Sequence, residues 1–283
     1  MSAPASANTS SESPPTFNKD MTPEIAFLAQ HSAHDFETVL LRWEKIAVAA
    51  NLRRTILADD EGGFPVIVFE TPTTPDAESG LYLCAGVHGD EPAGVWGLID
   101  WAEEHIEELR DSIGAVIFPC FNPSGLVANT RHDHAGRDLN RLFQDDSIPL
   151  MKAWRQFMAD RKFRLALQLH EDYDARGIYM YELTREGEAF GNSVFQRIES
   201  IIPRDIRPEI EGNDFENGIL LGTDIDIEER VEEELGGGYP EAIYVFISHS
   251  HFSLTFETPS EFSLWERVQS HRKFISQAIS AAI

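Results

Sequence analysis

His88, Glu91, His170 and Glu257 each stand at the end of an apolar run, and together they are residue types that a hydrolytic metal centre uses. Residues 81–87 run into His88-Gly89-Asp90-Glu91, residues 115–121 into Asn122-Pro123, residues 165–169 into His170-Glu171, and residues 253–256 into Glu257. In an open parallel sheet, ligands bind beyond the carboxyl ends of the strands, so side chains from distant parts of the chain can meet there. Two imidazoles and a carboxylate form a known catalytic zinc shell with a fourth position open to water, whose pKa falls to about 7 on the metal. Each residue alone has a plainer reading. His88 and Glu91 suit a helix N-terminus, and His170 suits an edge histidine with a hydrogen-bond partner. The donor types also admit cobalt or manganese.

The elements that must position these residues are readable from periodicity. Apolar residues at helical spacing between Pro23 and Asn51 predict one or two amphipathic helices, with Asp35 as cap of the second. Residues 54–58 and 65–69 read as strands joined through Gly62-Gly63. Strand 81–87 then leads to helix 92–110, with Gly89 allowing a sharp backbone and Pro92 suiting the helix start. Strand 114–120 leads to a polar loop, 122–148, and helix 149–161 to strand 163–170. A strand at 177–183, a helix at 186–202, a strand at 252–257 and a terminal helix at 262–283 complete the alternation. Such alternation implies an α/β fold, a mixed sheet with helices on both faces. Residues 203–238, acidic and closed by three glycines, read as a surface excursion, either a lid over the site or a passive loop.

Composition limits the function classes. With 283 residues, 42% hydrophobic, the chain can build one large domain, expected over residues 21–283 after a disordered Ser/Pro/Thr-rich tail at 1–20. No apolar stretch has membrane-span length, and the N-terminus lacks a signal-like basic and apolar start, so a cytoplasmic location is expected. Cys84 and Cys120 lie in strand candidates as small hydrophobes, and without a Cys-x-x-Cys pair finger-type zinc sites are excluded. The net charge of −25 repels phosphate backbones and argues against nucleic acid as partner. Against that field stand Arg131, Arg137 and Arg141, a local cluster suited to carboxylates. For Arg137, pairing with Asp133, Asp138 or Asp145 is the competing reading.

His88-Gly-Asp-Glu91, Asn122-Pro-Ser-Gly125, Thr130-Arg131, Asp138-Leu-Asn-Arg141, Leu169-His170 and Thr255-Phe-Glu-Thr-Pro259 follow in that order across residues 80–260. The set resembles the zinc metallocarboxypeptidases of the carboxypeptidase A type and their relatives, the succinylglutamate desuccinylases and aspartoacylases. The resemblance implies an eight-stranded mixed sheet, parallel at its centre and flanked by helices. It also implies one zinc ion held by His88, Glu91 and His170, with Glu257 as general base. Arg131 matches the arginine that polarises the scissile carbonyl, and Asn140 and Arg141 match the pair that holds the substrate carboxylate.

The implied reaction is hydrolysis of an amide bond next to a free carboxylate, in a peptide or in an N-acyl amino acid. Only 26 residues follow Glu257, whereas the deacylase relatives typically carry a further β-rich domain, and His88-Gly-Asp-Glu-Pro92 looks like the bacterial cell-wall peptide amidases. These features favour a peptidase. The compact Asp138-Leu-Asn-Arg-Leu-Phe143 leans toward the deacylases, as does the want of a mobile tyrosine, since neither Tyr239 nor Tyr244 has convincing spacing. Tyr244 reads as core, and His249 and His251 as solvent-facing more than pocket-lining. A binding protein that has lost its chemistry is disfavoured because ligands, clamp and base are all present.

Overall fold

Asp35 accepts a hydrogen bond from the Thr38 N–H at 3.0 Å and so starts helix α1 (Phe36–Ala50), which stops where Asn51 turns left-handed. The computed structural model describes residues 32–185, 188–223, 227, 231, 233 and 236–283. The expected tail at 1–20 and any helix before residue 32 lie outside the described residues. An antiparallel hairpin of β1 (Arg53–Asp59) and β2 (Pro65–Glu70) follows. Next come β3 (Leu81–Ala85), α2 (Pro92–Leu109), β4 (Ala115–Phe118), α3 (Pro123–Ala128), a 3-10 turn at Leu139–Arg141, and α4 (Pro149–Met158). Then β5 (Phe163–Asp172), β6 (Tyr179–Thr184), α5 (Gly191–Ile198), the short β7 (Glu209–Ile210) and β8 (Asn213–Asp214), and β9 (Ile219–Thr223). Helix α6 (Glu241–Ser248), β10 (Ser250–Pro259) and α7 (Leu264–Ala282) end the chain.

Among the described residues the main sheet has eight strands, ordered β1-β2-β4-β3-β5-β10-β6-β9. Its centre, β4-β3-β5-β10, is parallel, while β2 and β6 run antiparallel to it. The central strands are covered on both faces, which is why they read as unbroken apolar runs instead of alternating ones. Tyr82, Cys84, Val116, Phe118 and Ala166 share one core with Trp154 and Met158 of α4 and Val245 of α6. On the opposite face Phe69 stacks on Trp43 of α1, and Phe256 lies flat on Phe274 of α7, centroids 4.2 Å apart. Cys84 and Cys120 are buried and form no disulfide. Among the described residues no helix is long and apolar enough to cross a membrane.

The segment 203–238 corrects the sequence reading. It is not only an excursion: Ile219–Thr223 joins the main sheet as β9, parallel to β6, after a turn at Asn217-Gly218 with φ of 53° and 78°. Acidic flanks hide this short apolar run, and Glu211-Gly212, both at positive φ, close the β7–β8 hairpin. The loop 122–148 likewise contains α3 and the 3-10 turn.

The β10–α7 contact gives a direct stability test. Phe256→Ala removes a fully buried ring between β10 and α7. Urea unfolding should show a loss of about 3–5 kcal/mol; under about 1 kcal/mol would mean the stack contributes little.

Candidate metal and substrate site

The chain leaves β3 for β4 on one side and returns past it to β5 on the other. The crevice beyond the carboxyl ends of β3 and β5 is therefore a topological switch point, where connections diverge and leave a cleft. His88 and Glu91 follow β3, and His170 lies two residues before the end of β5. In the parallel pairing of β5 with β10, Glu257 lies directly beside His170, and across β10 it faces Tyr179. Register alone brings the base candidate to the histidine.

The loop between β3 and α2 is held by a clasp. A Cβ on Gly89 would fall 1.9 Å from the Gly125 carbonyl carbon, so only glycine lets this loop lie on the first turn of α3. Asn122 caps α3 by accepting from the Gly125 N–H at 2.9 Å, and its amide donates to the carbonyls of Val87 and Arg131. The Asn122-Pro-Ser-Gly125 motif thus ties the His88 loop to the Arg131 loop.

His88, Glu91 and His170 are each 3% exposed, and their donor atoms lie within 4.8 Å of one another. Glu91 Oε1 is 2.6 Å from His88 Nδ1, and Oε2 is 2.8 Å from His170 Nδ1. The set fits one divalent ion: two nitrogens and a carboxylate turned toward a shared centre, buried from competing water. Burial pulls the His88 imidazolium down, but Glu91 and Asp138 outweigh it and hold its pKa at about 9. His170 is likewise raised by Glu91 against burial, and Glu91 is held well below the usual carboxylate range by both histidines despite burial.

Asp138 is a further candidate site residue, one that the motifs alone did not single out. Its Oδ1 meets His88 Nε2 at 3.2 Å, and its Oδ2 accepts from Arg131 Nε at 3.1 Å. A carboxylate behind a metal-ligand histidine fixes the ring's tautomer and raises its basicity. The signal was present, since Asp138 opens Asp-Leu-Asn-Arg, but pairing with Arg137 competed for it. In the structure Arg137 instead pairs with Asp133 and Glu61.

The remaining expected residues share one cavity of about 560 Å³ with the cluster. Arg131 is half-buried, its Nη1 3.7 Å from Glu91 Oε1. Asn140 accepts from the Glu241 N–H at 2.9 Å. A backbone N–H can only donate, so the accepting atom is Oδ1 and the amide Nδ2 is left for the cavity. Arg141 is exposed and donates to the Asn140 carbonyl. Burial pushes the Glu257 carboxyl well above its usual range, with His170 pulling it back. The cavity's far side adds Tyr179, Tyr181, Leu183, Glu211 and Leu220, to which the sequence motifs gave no place in the site. Tyr239 and Tyr244 are not among the lining residues. Tyr244 packs on Trp154 as core, and His249 is buried against the same ring, facing neither pocket nor solvent.

Residues 77–190 match the family model described as the succinylglutamate desuccinylase/aspartoacylase catalytic domain. Carboxypeptidase SOL1 of Arabidopsis thaliana is 28% identical over a match that covers 38% of this chain and 26% of that protein. The chain thus spans about a quarter of the length of that curated relative. A structure from Shewanella baltica OS155, provisionally named a metallopeptidase, superposes with a TM-score of 0.75 at 19% identity, covering 89% of this chain and 94% of that one. A metallo-carboxypeptidase from Pseudomonas aeruginosa, solved with (2-guanidinoethylmercapto)succinic acid, gives 0.58 at 15% identity over 86% and 68%. The resemblance to zinc carboxypeptidase-like proteins holds in sequence and in fold, and it supports a metallocarboxypeptidase-like hydrolase.

Two outcomes test the cluster. His170→Ala should abolish stoichiometric metal in elemental analysis, and Asp138→Asn should weaken zinc binding about 10–100-fold; metal retained unchanged by both would remove the cluster as the site. Metal must also displace the His88 proton, so affinity should rise with pH from neutrality to about 9, as followed by chelator competition.

Proposed function

We propose that this chain, a relative of the zinc carboxypeptidases and the desuccinylase/aspartoacylase domain, hydrolyses an amide bond next to a free carboxylate. We read residues 21–283 as one catalytic domain acting as a carboxypeptidase or peptide amidase. The observation that carries the reading is the convergence, in one cavity, of a His/Glu/His cluster, the buried Glu257 beside it, and Arg131 with Arg141.

His88, Glu91 and His170 would hold zinc, which supplies a Lewis acid and brings the pKa of water down to about 7. Glu257 takes a proton from the attacking water. Its buried setting raises its proton affinity, so it can keep that proton and then deliver it to the leaving nitrogen. Arg131, restrained by Asp138, offers its guanidinium to the oxygen that gains charge as the carbonyl becomes tetrahedral. Arg141 and the Asn140 Nδ2 receive the substrate carboxylate. Among the described residues Arg141 makes no ion pair within contact distance, although the Asp138 carboxylate lies within its electrostatic reach. A carboxylate-bearing substrate also agrees with the succinic acid ligand of the Pseudomonas aeruginosa enzyme.

A second reading, an N-acyl amino acid deacylase of the aspartoacylase and desuccinylase type, is favoured by the family model that matches residues 77–190. Both readings use the same residues and differ in which side of the amide carries the bulk.

Glu257→Gln should retain metal and lose kcat by orders of magnitude; near-normal turnover would remove Glu257 as base. Arg141→Gln should raise KM for free-carboxylate substrates about 10–100-fold, the worth of a charged hydrogen-bonded contact. It should leave the carboxamide counterparts unaffected, and equal effects on both would remove Arg141 from the clamp.

A further inference from the structure

Helix α2 begins without the cap its sequence suggests. Glu91 occupies the N-cap position, yet its side chain makes no cap hydrogen bond because both its oxygens face the imidazoles. Pro92 removes one of the free N–H groups at the helix start, but the next is left to be satisfied. Glu171 supplies what Glu91 cannot. It follows His170 on β5, its side chain is fully buried, and its Oε1 accepts from the Ala93 N–H at 2.6 Å. Its other oxygen pairs with Arg267 of α7, whose Nε donates to the Phe262 carbonyl at 2.9 Å.

The same junction is tightly packed. A Cβ on Gly94 would meet the Leu169 carbonyl oxygen and Cβ, each at 2.9 Å, so Ala93-Gly94 lie directly on Leu169-His170-Glu171. The backbone that carries Glu91 is thus fastened to the backbone that carries His170 by one carboxylate and one glycine. We propose that Glu171, braced by Arg267, is a positioning residue that holds Glu91 in register with His170 for metal binding. The proposal rests on the reading of His88, Glu91 and His170 as the ligands. It adds a polar tie between the C-terminal helix and the proposed metal centre to the direct packing of α7 on α2 at Gly97.

Glu182 provides the control. It is 1% exposed and caps α5 by accepting from the N–H groups of Phe190 and Gly191, the same chemistry on a helix that carries none of the proposed ligands. Zinc affinity of the metal-free full chain is measured by competition with a chromogenic chelator, alongside the visible spectrum of the cobalt form. Glu171→Gln should weaken zinc about 10–100-fold and alter the cobalt spectrum. Glu182→Gln should leave both unchanged while lowering stability to urea. Arg267→Gln, which leaves the Ala93 bond in place, should weaken zinc in the same direction and serves if Glu171→Gln does not fold. Wild-type zinc affinity in the Glu171 or Arg267 variant, or an equal loss in Glu182→Gln, overturns the strut while leaving the metal site standing. A wild-type chain that takes up no zinc overturns both.

Discussion

A carboxylate buried between two imidazoles is the arrangement that the rest of this structure must accommodate. Taking Glu91 out of water costs several kcal/mol by order of magnitude, returned only if its partners are close and well oriented. Glu91 meets that condition with both histidines inside 3 Å, although only one of the two is its near neighbour in the chain.

 His88 stands three residues before Glu91, whereas His170 is 79 residues further along the chain, so only the β3–β5 pairing can bring the second imidazole in. The glycines at 89 and 94 then let the loop and the helix start approach closely enough to finish the job.

Electrostatics divides the cavity in the same way. The chain as a whole carries −25, yet Arg131 and Arg141 both line the cavity, on the side proposed to receive a substrate carboxylate. Asp138 links the two halves, since one oxygen faces the His88 ring and the other the Arg131 guanidinium. The position of Arg131, the proposed oxyanion arginine, and the protonation of a proposed ligand therefore depend on one side chain. Buried polar networks of this kind are rigid when every member is satisfied and costly when one is lost.

Much of this was legible in the sequence because the central strands are covered on both faces and each ends in a polar residue. The apolar runs before His88, His170 and Glu257 marked both the strands and the positions that face the crevice, and the structure brings all three together. What escaped the reading shares a different cause. Asp138 was ambiguous because an arginine adjoins it, and sequence neighbours say nothing about a histidine 50 residues away. Glu171 drew no role from the sequence, because its partners are a backbone N–H and an arginine from the last helix. Strand β9 was hidden by acidic flanks and its place at the sheet edge, so its side chains and those of the β7–β8 hairpin could not be threaded onto the cavity wall.

The most direct test of the central claim is hydrolysis of a panel of free-carboxylate peptides and N-acyl amino acids by the zinc-loaded chain, before and after chelation and after zinc is restored. A metal-dependent amide hydrolase should cleave one group, lose that cleavage with the chelator and regain it with one equivalent of metal per chain. Cleavage that survives complete metal removal would contradict that claim, as would a fully loaded protein that cleaves neither group.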